Sequence, residues 1–253
     1  MDRILFTAAG GAARSLESQA ALSNNMANIN TPGFRAEIAA YRAVPIVGDG
    51  LPTRVATVMT TPGADFSQGV LQTTGRELDV AVAGQGWFAV QTPNGEAYTR
   101  AGSFQVGVDG VLRTTQGYPV VSADGGPIDV PERARLTFST DGTLVALGAG
   151  DPPNDVVALG QIKRVNAGPG ELVRGDDGLF RPPPGPNGQA AGPLPNDPAI
   201  GIVSGALEGS NVNPAAAMVG MINNARRFEM QMKVIQHADG NAQRANGILS
   251  PSN

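Results

Sequence analysis

The stretch Asn213–Leu249, NPAAAMVGMINNARRFEMQMKVIQHADGNAQRANGIL, is the longest helical pattern in this chain of 253 residues. Asn213 suits the N-cap position and Pro214 the first helical position, where a missing N–H costs nothing. Apolar residues recur at alternating steps of three and four, as at the a and d positions of a coiled coil: Met218, Met221, Ala225, Phe228, Met232, Ile235, Ala242 and Leu249. Polar residues fill the other faces, so this narrow stripe predicts a partner helix. A single core helix packed on its own domain is the alternative.

A second helical pattern runs from Asp2 to Asn28. Its apolar face is thin and consists of Leu5, Ala8, Ala12, Leu16, Leu22 and Met26. Gly10 and Gly11 in its middle weaken it by about 1 kcal/mol each relative to alanine, so this helix is marginal alone. The stripes of the two helices would fit each other, and we therefore expect them to pair.

The residues between the two helices predict a β-rich region. Residues 36–76 lack a clear period, although Arg54–Val58 has strand character, whereas Leu78, Val80 and Val82 alternate with other residues at the period of a strand. Four dipeptides that favour tight hairpin turns follow, which predicts antiparallel sheets: Asn94-Gly95, Asp109-Gly110, Asp141-Gly142 and Asp177-Gly178. Residues 182–198 are rich in proline and glycine and predict a surface loop.

The predicted fold is therefore α+β, with a discontinuous α-helical coiled-coil domain from both termini and a central antiparallel β-rich domain. Residues 1–35 and 201–253 supply the two helical halves. Residues 36–76 form an extended connector. Residues 77–200 form the β-rich domain, which includes the loop 182–198.

Composition narrows the classes of function. The formal net charge is −4 and no stripe of Lys or Arg is present, which argues against nucleic acid as a partner. Cysteine is absent, which rules out disulfides and thiol chemistry and fits a protein that works outside the reducing cytosol. No apolar run approaches the length of a transmembrane helix. The first residues lack the pattern of a signal peptide, so we expect any export to proceed without a cleaved leader.

No motif points to catalysis. His237 is the only histidine, and no metalloprotease or nucleophile-elbow sequence surrounds it. The Asp-Gly pairs lack the spacing of a calcium loop. We therefore predict no catalytic residue, cofactor, metal ion or small-molecule substrate. The alternatives are an unassigned adaptor or a secreted β-rich enzyme or carbohydrate-binding module, for which Glu77, Asp79 and Glu96 would be candidate carboxylates.

Three stretches carry a resemblance to a known family. They are Asn24–Arg35 (NNMANINTPGFR), Tyr98–Phe104 (YTRAGSF) with the turns that follow it, and Gly205–Asn213 (GALEGSNVN). In order and spacing these stretches resemble the flagellar rod and hook proteins, and the resemblance covers essentially the whole chain. The residues that match the family motifs are Asn25, Asn28, Thr31, Pro32, Gly33, Phe34, Glu208, Ser210, Asn211 and Val212.

The resemblance also favours one branch of that family. The chain is too short for a hook protein, which carries a further domain, and its β-rich domain excludes the short rod proteins. Arg226–Lys233 and Arg174–Arg181 resemble the corresponding stretches of a proximal rod subgroup. The distal rod subgroup is the alternative.

The resemblance implies a structural role in the bacterial flagellar basal body. Such subunits pass through the flagellar type III export apparatus without a cleaved leader and build a hollow rod that crosses the periplasm and transmits torque. The partners implied are other rod proteins, copies of the chain itself and the export apparatus. The apolar residues of both helices, from Leu5 to Met26 and from Met218 to Leu249, would then be the assembly interface, with the β-rich domain outside.

Overall fold

A computed structural model describes residues 2–46, 55–60, 63–131, 134–148, 152, 156–185, 189 and 191–249. The chain forms two compact units, and each is built from separate pieces of sequence. The helical unit comprises Met1–Ala27, Glu37–Gly63 and Asn213–Asn253, and the β-rich unit comprises Asn28–Ala36 and Ala64–Val212. Residues 28–36 and 201–212 lie in the β-rich unit, although the predicted bounds of the β-rich domain did not include them. Most of the predicted connector lies in the helical unit.

Two antiparallel helices dominate the helical unit. Helix α1 spans Asp2–Ala27 and helix α2 spans Pro214–Leu249, which makes them about 39 and 54 Å long at 1.5 Å per residue. Asn213 is the N-cap of α2, because its Oδ1 accepts a hydrogen bond from the N–H of Ala216 at 3.0 Å. The predicted start of this helix is therefore confirmed.

The helical unit also contains a β-hairpin. Strand β1 spans Glu37–Ile38, and β2 (Tyr41–Pro45) pairs antiparallel with β3 (Val55–Met59). The hydroxyl of Tyr41 donates to the carbonyl oxygen of Arg14 on α1 at 3.1 Å. The strand character predicted for residues 54–58 is thus confirmed from residue 55 onward. Arg54 and the rest of 47–54, like 61–62, lie outside the described residues.

The remaining strands lie in the β-rich unit, except that β4 spans the boundary between the two units; all pairs formed between the strands of the β-rich unit are antiparallel, as predicted. Their bounds are β4 Gly63–Ala64, β5 Leu71–Thr73, β6 Val80–Val82, β7 Trp87–Thr92, β8 Gly95–Thr99, β9 Phe104–Val106, β10 Leu112–Thr114, β11 Arg135–Phe138, β12 Thr143–Leu147, β13 Val156–Gln161, β14 Arg164–Val165, β15 Val173–Arg174, β16 Phe180–Arg181, β17 Ile202–Ser204 and β18 Ala206–Glu208. The largest sheet has the order β14-β7-β8-β16-β15, and a second sheet has the order β11-β12-β13. Short pairs join β9 to β10, β6 to β17 and β5 to β18.

The two larger of the apolar clusters in this unit lie on different sides of strand β7. The main cluster is centred on Phe88, Phe104 and Leu112, each fully buried. The second surrounds Trp87. The centre of its ring lies 4.6 Å from the ring centre of Phe180 and 5.4 Å from that of Phe66. The alternation of strand β7 explains the split, because neighbouring side chains of a strand point to opposite faces.

All four predicted turns are confirmed. Gly95, Gly110, Gly142 and Gly178 each have positive φ, between 74° and 101°; Gly95 is the first residue of β8 after its turn, and the other three lie in connections between antiparallel strands. Only glycine adopts this conformation without strain, which is why the dipeptides could be recognised.

The proline-rich loop is anchored at its C-terminal end. The N–H of Leu194 donates to the hydroxyl of Tyr98 at 2.7 Å, and Asn196 Oδ1 accepts from the N–H of Arg164 at 3.0 Å. Burial raises the pKa of Tyr98, so its hydroxyl keeps its proton and can donate in turn to Glu96 at 2.8 Å. Within this loop, residues 186–188 and 190 lie outside the described part of the chain.

Candidate functional site: the helix seam and the buried ion cluster

The contact surface of α1 and α2, here called the helix seam, is mostly apolar and is closely packed at its glycines. A Cβ added to Gly220 would lie 3.2 Å from Cδ2 of Leu22, and one added to Gly11 would lie 2.9 Å from the side chain of Gln231. Gly11, predicted only to weaken α1, therefore gives Gln231 room against the helix backbone.

A buried amide lies in the middle of the helix seam. The Nδ2 of Asn224 donates to the carbonyl oxygen of Ser15 at 2.6 Å and to Oε1 of Gln19 at 3.0 Å. Asn224 is only 7% exposed. Because an unpaired buried amide is costly, this contact favours one register of the two helices over others.

The helix seam uses half of the predicted stripe of α2. Most of the buried or half-buried residues of α2 recur at steps of three and four: Ala217, Met221, Asn224, Phe228, Gln231, Ile235, Ala238 and Ala242. Four of these residues were predicted: Met221, Phe228, Ile235 and Ala242. The other predicted row, Met218, Ala225 and Met232, lies one residue away and is exposed. The side chain of Leu249 lies outside the described residues.

Helix α1 shows the same one-residue shift at one position. Leu5, Leu22 and Met26 are half-buried and Ala12 is buried, whereas Leu16 is 58% exposed and Ser15 is buried in its place. The role of all these residues in assembly remains a prediction. In the structure, one set of these residues faces the other helix of the same chain, and a second set does not.

Three residues of the second set, Met218, Ala225 and Met232, form with the exposed Ile222 an apolar stripe on α2 that we call the outer stripe. Met218 is 53% exposed and Ile222 is 55% exposed. These residues follow each other at steps of three, four and seven, so they share one side of the helix. Exposed apolar stripes of this kind are typical of surfaces that bind other proteins.

The β-rich unit contains a buried ion cluster of three charged residues. The carboxylate of Glu208 is fully buried, and its Oε1 lies 2.6 Å from Nη2 of Arg35. Its Oε2 lies 2.9 Å from Nη1 of Arg100, whose Nη2 donates to the carbonyl oxygen of Gly84 at 2.6 Å. The N–H of Gly69 donates to Oε1 at 2.8 Å.

Trp87 completes the ion cluster. The guanidinium carbons of Arg35 and Arg100 lie 5.9 and 5.7 Å from the centre of a ring of Trp87, within the range of cation–π attraction. Burial lowers the pKa of Arg100 to about 10; Glu208 opposes this shift and the nearby charge of Arg35 adds to it. Arg100 therefore remains charged at neutral pH, and one carboxylate and one aromatic ring contact both arginines.

The N-terminal motif is a turn that fits against this cluster. Gly33 has a φ of 70°, and a Cβ at this position would overlap the backbone of Arg100 and Ala101. Its N–H donates to the carbonyl oxygen of Glu208 at 2.7 Å. The next residue, Phe34, is buried, and its ring lies 4.4 Å from the guanidinium carbon of Arg174.

The C-terminal motif is organised by Asn211. Its Oδ1 accepts from the N–H of Ala36 at 2.7 Å, and its Nδ2 donates to the carbonyl oxygens of Asp65 and Ser67 at 2.8 and 3.0 Å. Its own N–H donates to the carbonyl oxygen of Phe34 at 3.3 Å. One amide side chain therefore joins three segments of the unit.

The remaining motif residues make local contacts. In the helical unit, Asn25 pairs with the backbone of Glu37 through both atoms of its amide, at 2.7 and 2.9 Å. In the β-rich unit, Thr31 donates to the side chain of Asn28 at 3.1 Å, which supports the turn before Pro32. Ser210 Oγ accepts from the N–H of Val212 at 3.2 Å.

Sequence reasoning did not assign roles to Arg35, Arg100, Trp87 or Asn224. Arg35 and Arg100 lie inside the quoted motifs, and Glu208 is the motif residue that contacts both. A charged residue between the apolar Phe34 and Ala36 is a signal that could have indicated a buried ion pair. Asn224 could not be found this way, because polar residues are common on every face of this helix.

Other predicted candidates are not brought together. His237 is exposed on α2, and the described residues contain no group of His, Asp and Glu that could hold a metal ion. Glu96 is paired with Lys163 at 2.8 Å, whereas Glu77 is paired with Arg135 at 2.5 Å. Neither described helix combines the length and apolar character needed to cross a bilayer.

Comparisons with known protein families match this arrangement along the chain. Residues 5–35 match the family described as "Flagella basal body rod protein". Residues 81–146 match "Flagellar hook protein FlgE/F/G D1 domain", and residues 203–248 match "Flagellar basal body rod FlgEFG protein C-terminal". The matches cover α1 with its following turn, the central strands, and the C-terminal motif with α2.

Individual relatives are similar over the full length. The flagellar basal-body rod proteins FlgF of Salmonella typhimurium and Escherichia coli are each 51% identical over 253 residues, which is 100% of both chains. The flagellar basal-body rod protein FlgG of Agrobacterium fabrum is 33% identical over 256 residues, covering 94% of this chain and 95% of its own.

Two paired terminal helices, antiparallel strands between them and these matches define an axial protein of the flagellar rod and hook class. The resemblance to the proximal rather than the distal rod subgroup, that is to FlgF rather than FlgG, agrees with the higher identity to FlgF. The chain belongs to the FlgF family of flagellar basal-body rod proteins. It is a structural subunit of the rod in the bacterial basal body, as the sequence predicted.

Proposed function

We propose that this subunit joins the rod through its two terminal helices, with α1 and α2 paired in the helix seam and the outer stripe of α2 packed on neighbouring rod subunits. One observation carries the proposal: Met218 and Ile222 remain exposed although the helix seam is already filled. Burial of each such side chain is worth roughly 1.5–3 kcal/mol. Its partners would be other rod proteins and copies of itself. Contacts that do not close on themselves would extend the hollow, torque-transmitting shaft.

The test compares two neighbouring substitutions in a motile strain that carries this protein as its only FlgF. Ile222→Asp places a charge in the outer stripe, and we expect loss of swimming and absence of complete rods in isolated basal bodies. Asn223→Asp places the same charge at the next, exposed position. It should leave motility intact. Normal rods from Ile222→Asp would contradict the proposal.

We also propose export through the flagellar type III apparatus, without a cleaved leader, as an incompletely folded chain. The thin helix seam supports this idea, because an alanine-rich and glycine-containing hairpin is weakly stable before it meets neighbours. Limited proteolysis of the dilute full-length chain should remove residues 2–27 and 214–249 first and leave the β-rich unit. Helices as resistant as the β-rich unit would contradict assembly-coupled folding.

A purely structural, non-enzymatic role completes the proposal. The contacts of two carboxylates support it: the buried Glu208 binds Arg35 and Arg100, and the half-buried Glu96 binds Lys163. Carboxylates engaged in this way hold segments together and are not placed for proton transfer to a substrate. Glu96→Gln should therefore lower the melting temperature in thermal unfolding. Swimming, measured in motility assays, should be retained.

A further inference from the structure

Three segments of the β-rich unit depend on one another: residues 28–36, 65–73 and 205–212. The first is held mainly by the third. The N–H of Gly33 donates to the carbonyl oxygen of Glu208, and the N–H of Ala36 donates to Oδ1 of Asn211. The ion pair of Arg35 also ends on Glu208.

Residues 65–73 depend on the same two side chains. Gly69 donates its N–H to Oε1 of Glu208, and Asp65 and Ser67 accept from Nδ2 of Asn211. Strand β5, within this segment, pairs only with β18, which contains Glu208, among the described strands. All three residues of β5 are exposed, so packing adds little to its attachment.

Because of the charges of the ion cluster, the three segments should detach together. In the described part of the chain, Glu208 is the carboxylate that pairs with both Arg35 and Arg100, which are themselves buried. If Glu208 moves away, two guanidinium groups remain buried near each other without an opposite charge. Such a state is strongly unfavourable, so Arg35 must become solvated as well.

The strand core does not share this dependence. The main apolar cluster, centred on Phe88, Phe104 and Leu112, contains no residue of the three segments. Ile200 and Ile202, which do belong to it, precede the third segment. The core can therefore remain packed when the three segments separate from it.

We propose that residues 28–36, 65–73 and 205–212 form one latch, closed by Glu208 and Asn211, that opens as a single unit while the strand core stays folded. Helix α1 ends at Ala27 and α2 begins at Pro214, so opening frees the chain segment that follows α1 and the one that precedes α2 at once. The latch is a built-in conformational device that lets both ends rearrange without unfolding the rest of the unit.

Hydrogen exchange of the full-length protein in low urea, read by mass spectrometry, tests the latch. In the unsubstituted chain the three segments should share one opening rate, at least about tenfold faster than that of β7 and β8. Glu208→Gln should raise exchange in all three segments by the same factor, again at least about tenfold, and leave β7 unchanged. Glu96→Gln breaks the ion pair with Lys163 in the same unit and should leave the three segments unchanged.

Two outcomes would overturn the proposal. A rise confined to residues 205–212 would show that Glu208 does not hold the other segments. Equal exchange of the segments and the core in the unsubstituted chain would show that no separate opening exists. If Glu208→Gln does not fold, Asn211→Ala provides the same test, because it keeps both ion pairs and removes the amide shared by the three segments.

Trp87 supplies an independent readout, since it is the only tryptophan. Its ring contacts Arg35 and Phe66, which belong to the latch, and Arg100, which loses its ion pair with Glu208 when the latch opens. Acrylamide quenching of Trp87 should increase severalfold in Asn211→Ala, with far-UV circular dichroism of the strands retained. Unchanged quenching together with unchanged exchange would refute the latch.

Discussion

Asn224 of α2 donates a hydrogen bond to the carbonyl oxygen of Ser15 on α1, with 2.6 Å between the two atoms, inside a seam that is otherwise mostly apolar. This contact fixes which residues of the helices face each other. We expect Asn224→Ala to weaken the helix seam by about 1 kcal/mol, since a net intramolecular hydrogen bond is worth about that much. Smaller swim rings should result, whereas Asn223→Ala, at the adjacent exposed position, should leave them unchanged. Equal swim rings for both variants would mean that assembly does not use this contact.

Phe228 lies at the centre of the helix seam, and Phe228→Asp should prevent rod assembly. A carboxylate at this half-buried position would have to enter an apolar contact or separate the helices, at a cost of several kcal/mol. Electron microscopy of isolated basal bodies measures the loss of rods. Fluorescence of Trp87 should be unchanged, because the β-rich unit is not altered. Asn241→Asp, exposed on the same helix, is the matched control, and normal rods from Phe228→Asp would refute its place in the seam.

Gly102 should not tolerate a side chain, although its φ is not positive. The physical reason is lack of space. A Cβ at Gly102 would overlap the carbonyl oxygen of Val80. We expect Gly102→Ala to lower the free energy of unfolding by about 3 kcal/mol.

Urea unfolding followed by Trp87 fluorescence measures this change. Gly126→Ala is the control, because a Cβ at Gly126 meets no atom within 4 Å and its φ is ordinary. If both substitutions have the same small effect, the close approach of Gly102 to Val80 is not important for stability.

The ion pair between Asp177 and Arg181 should stabilise the fold at neutral pH but not in acid. The hydrogen bond from Arg181, at 2.6 Å, holds the pKa of Asp177 below its usual value of 3.8. The pair therefore stabilises the folded state above about pH 4, and this contribution disappears as the pH falls through the lowered pKa. Asp177→Asn should flatten the fall of the melting temperature below pH 4 and cost at most about 1 kcal/mol at neutral pH, because the pair is partly exposed. Asp176→Asn, which removes the neighbouring carboxylate, should keep the steep fall.

Much of the fold was predictable because it depends on local signals. Asn213 and Pro214 mark the start of α2, and the Asn-Gly and Asp-Gly pairs mark turns that need positive φ. The antiparallel character of the strands follows from the close spacing of those turns. The ion cluster was only partly predictable: Glu208 was marked by its motif, but its pairing with Arg35 and Arg100 joins residues separated by more than 100 positions in the chain.

The register of the helix seam was not predictable from hydrophobicity. Two rows one residue apart, Met218–Ala225–Met232 and Ala217–Asn224–Gln231, both continue the heptad repeat with Met221 and Phe228. The apolar pattern favours the row that contains Met218 and Met232. The structure instead places the row that contains Asn224 against α1. Small residues there, together with Gly11 and Gly220, let the helix backbones approach closely, and Asn224 gains hydrogen bonds that a methionine cannot make.

The amino-acid sequence by itself determined the helices at both ends, the turns between antiparallel strands and the membership in a flagellar axial family. These features depend on the conformational preferences of neighbouring residues and on short motifs. Only the tertiary structure decided which side of α2 meets α1, which side remains for other subunits, and that one buried carboxylate holds Arg35 and Arg100 together. Those outcomes depend on packing and desolvation between distant segments, whose energies no local pattern of residues contains.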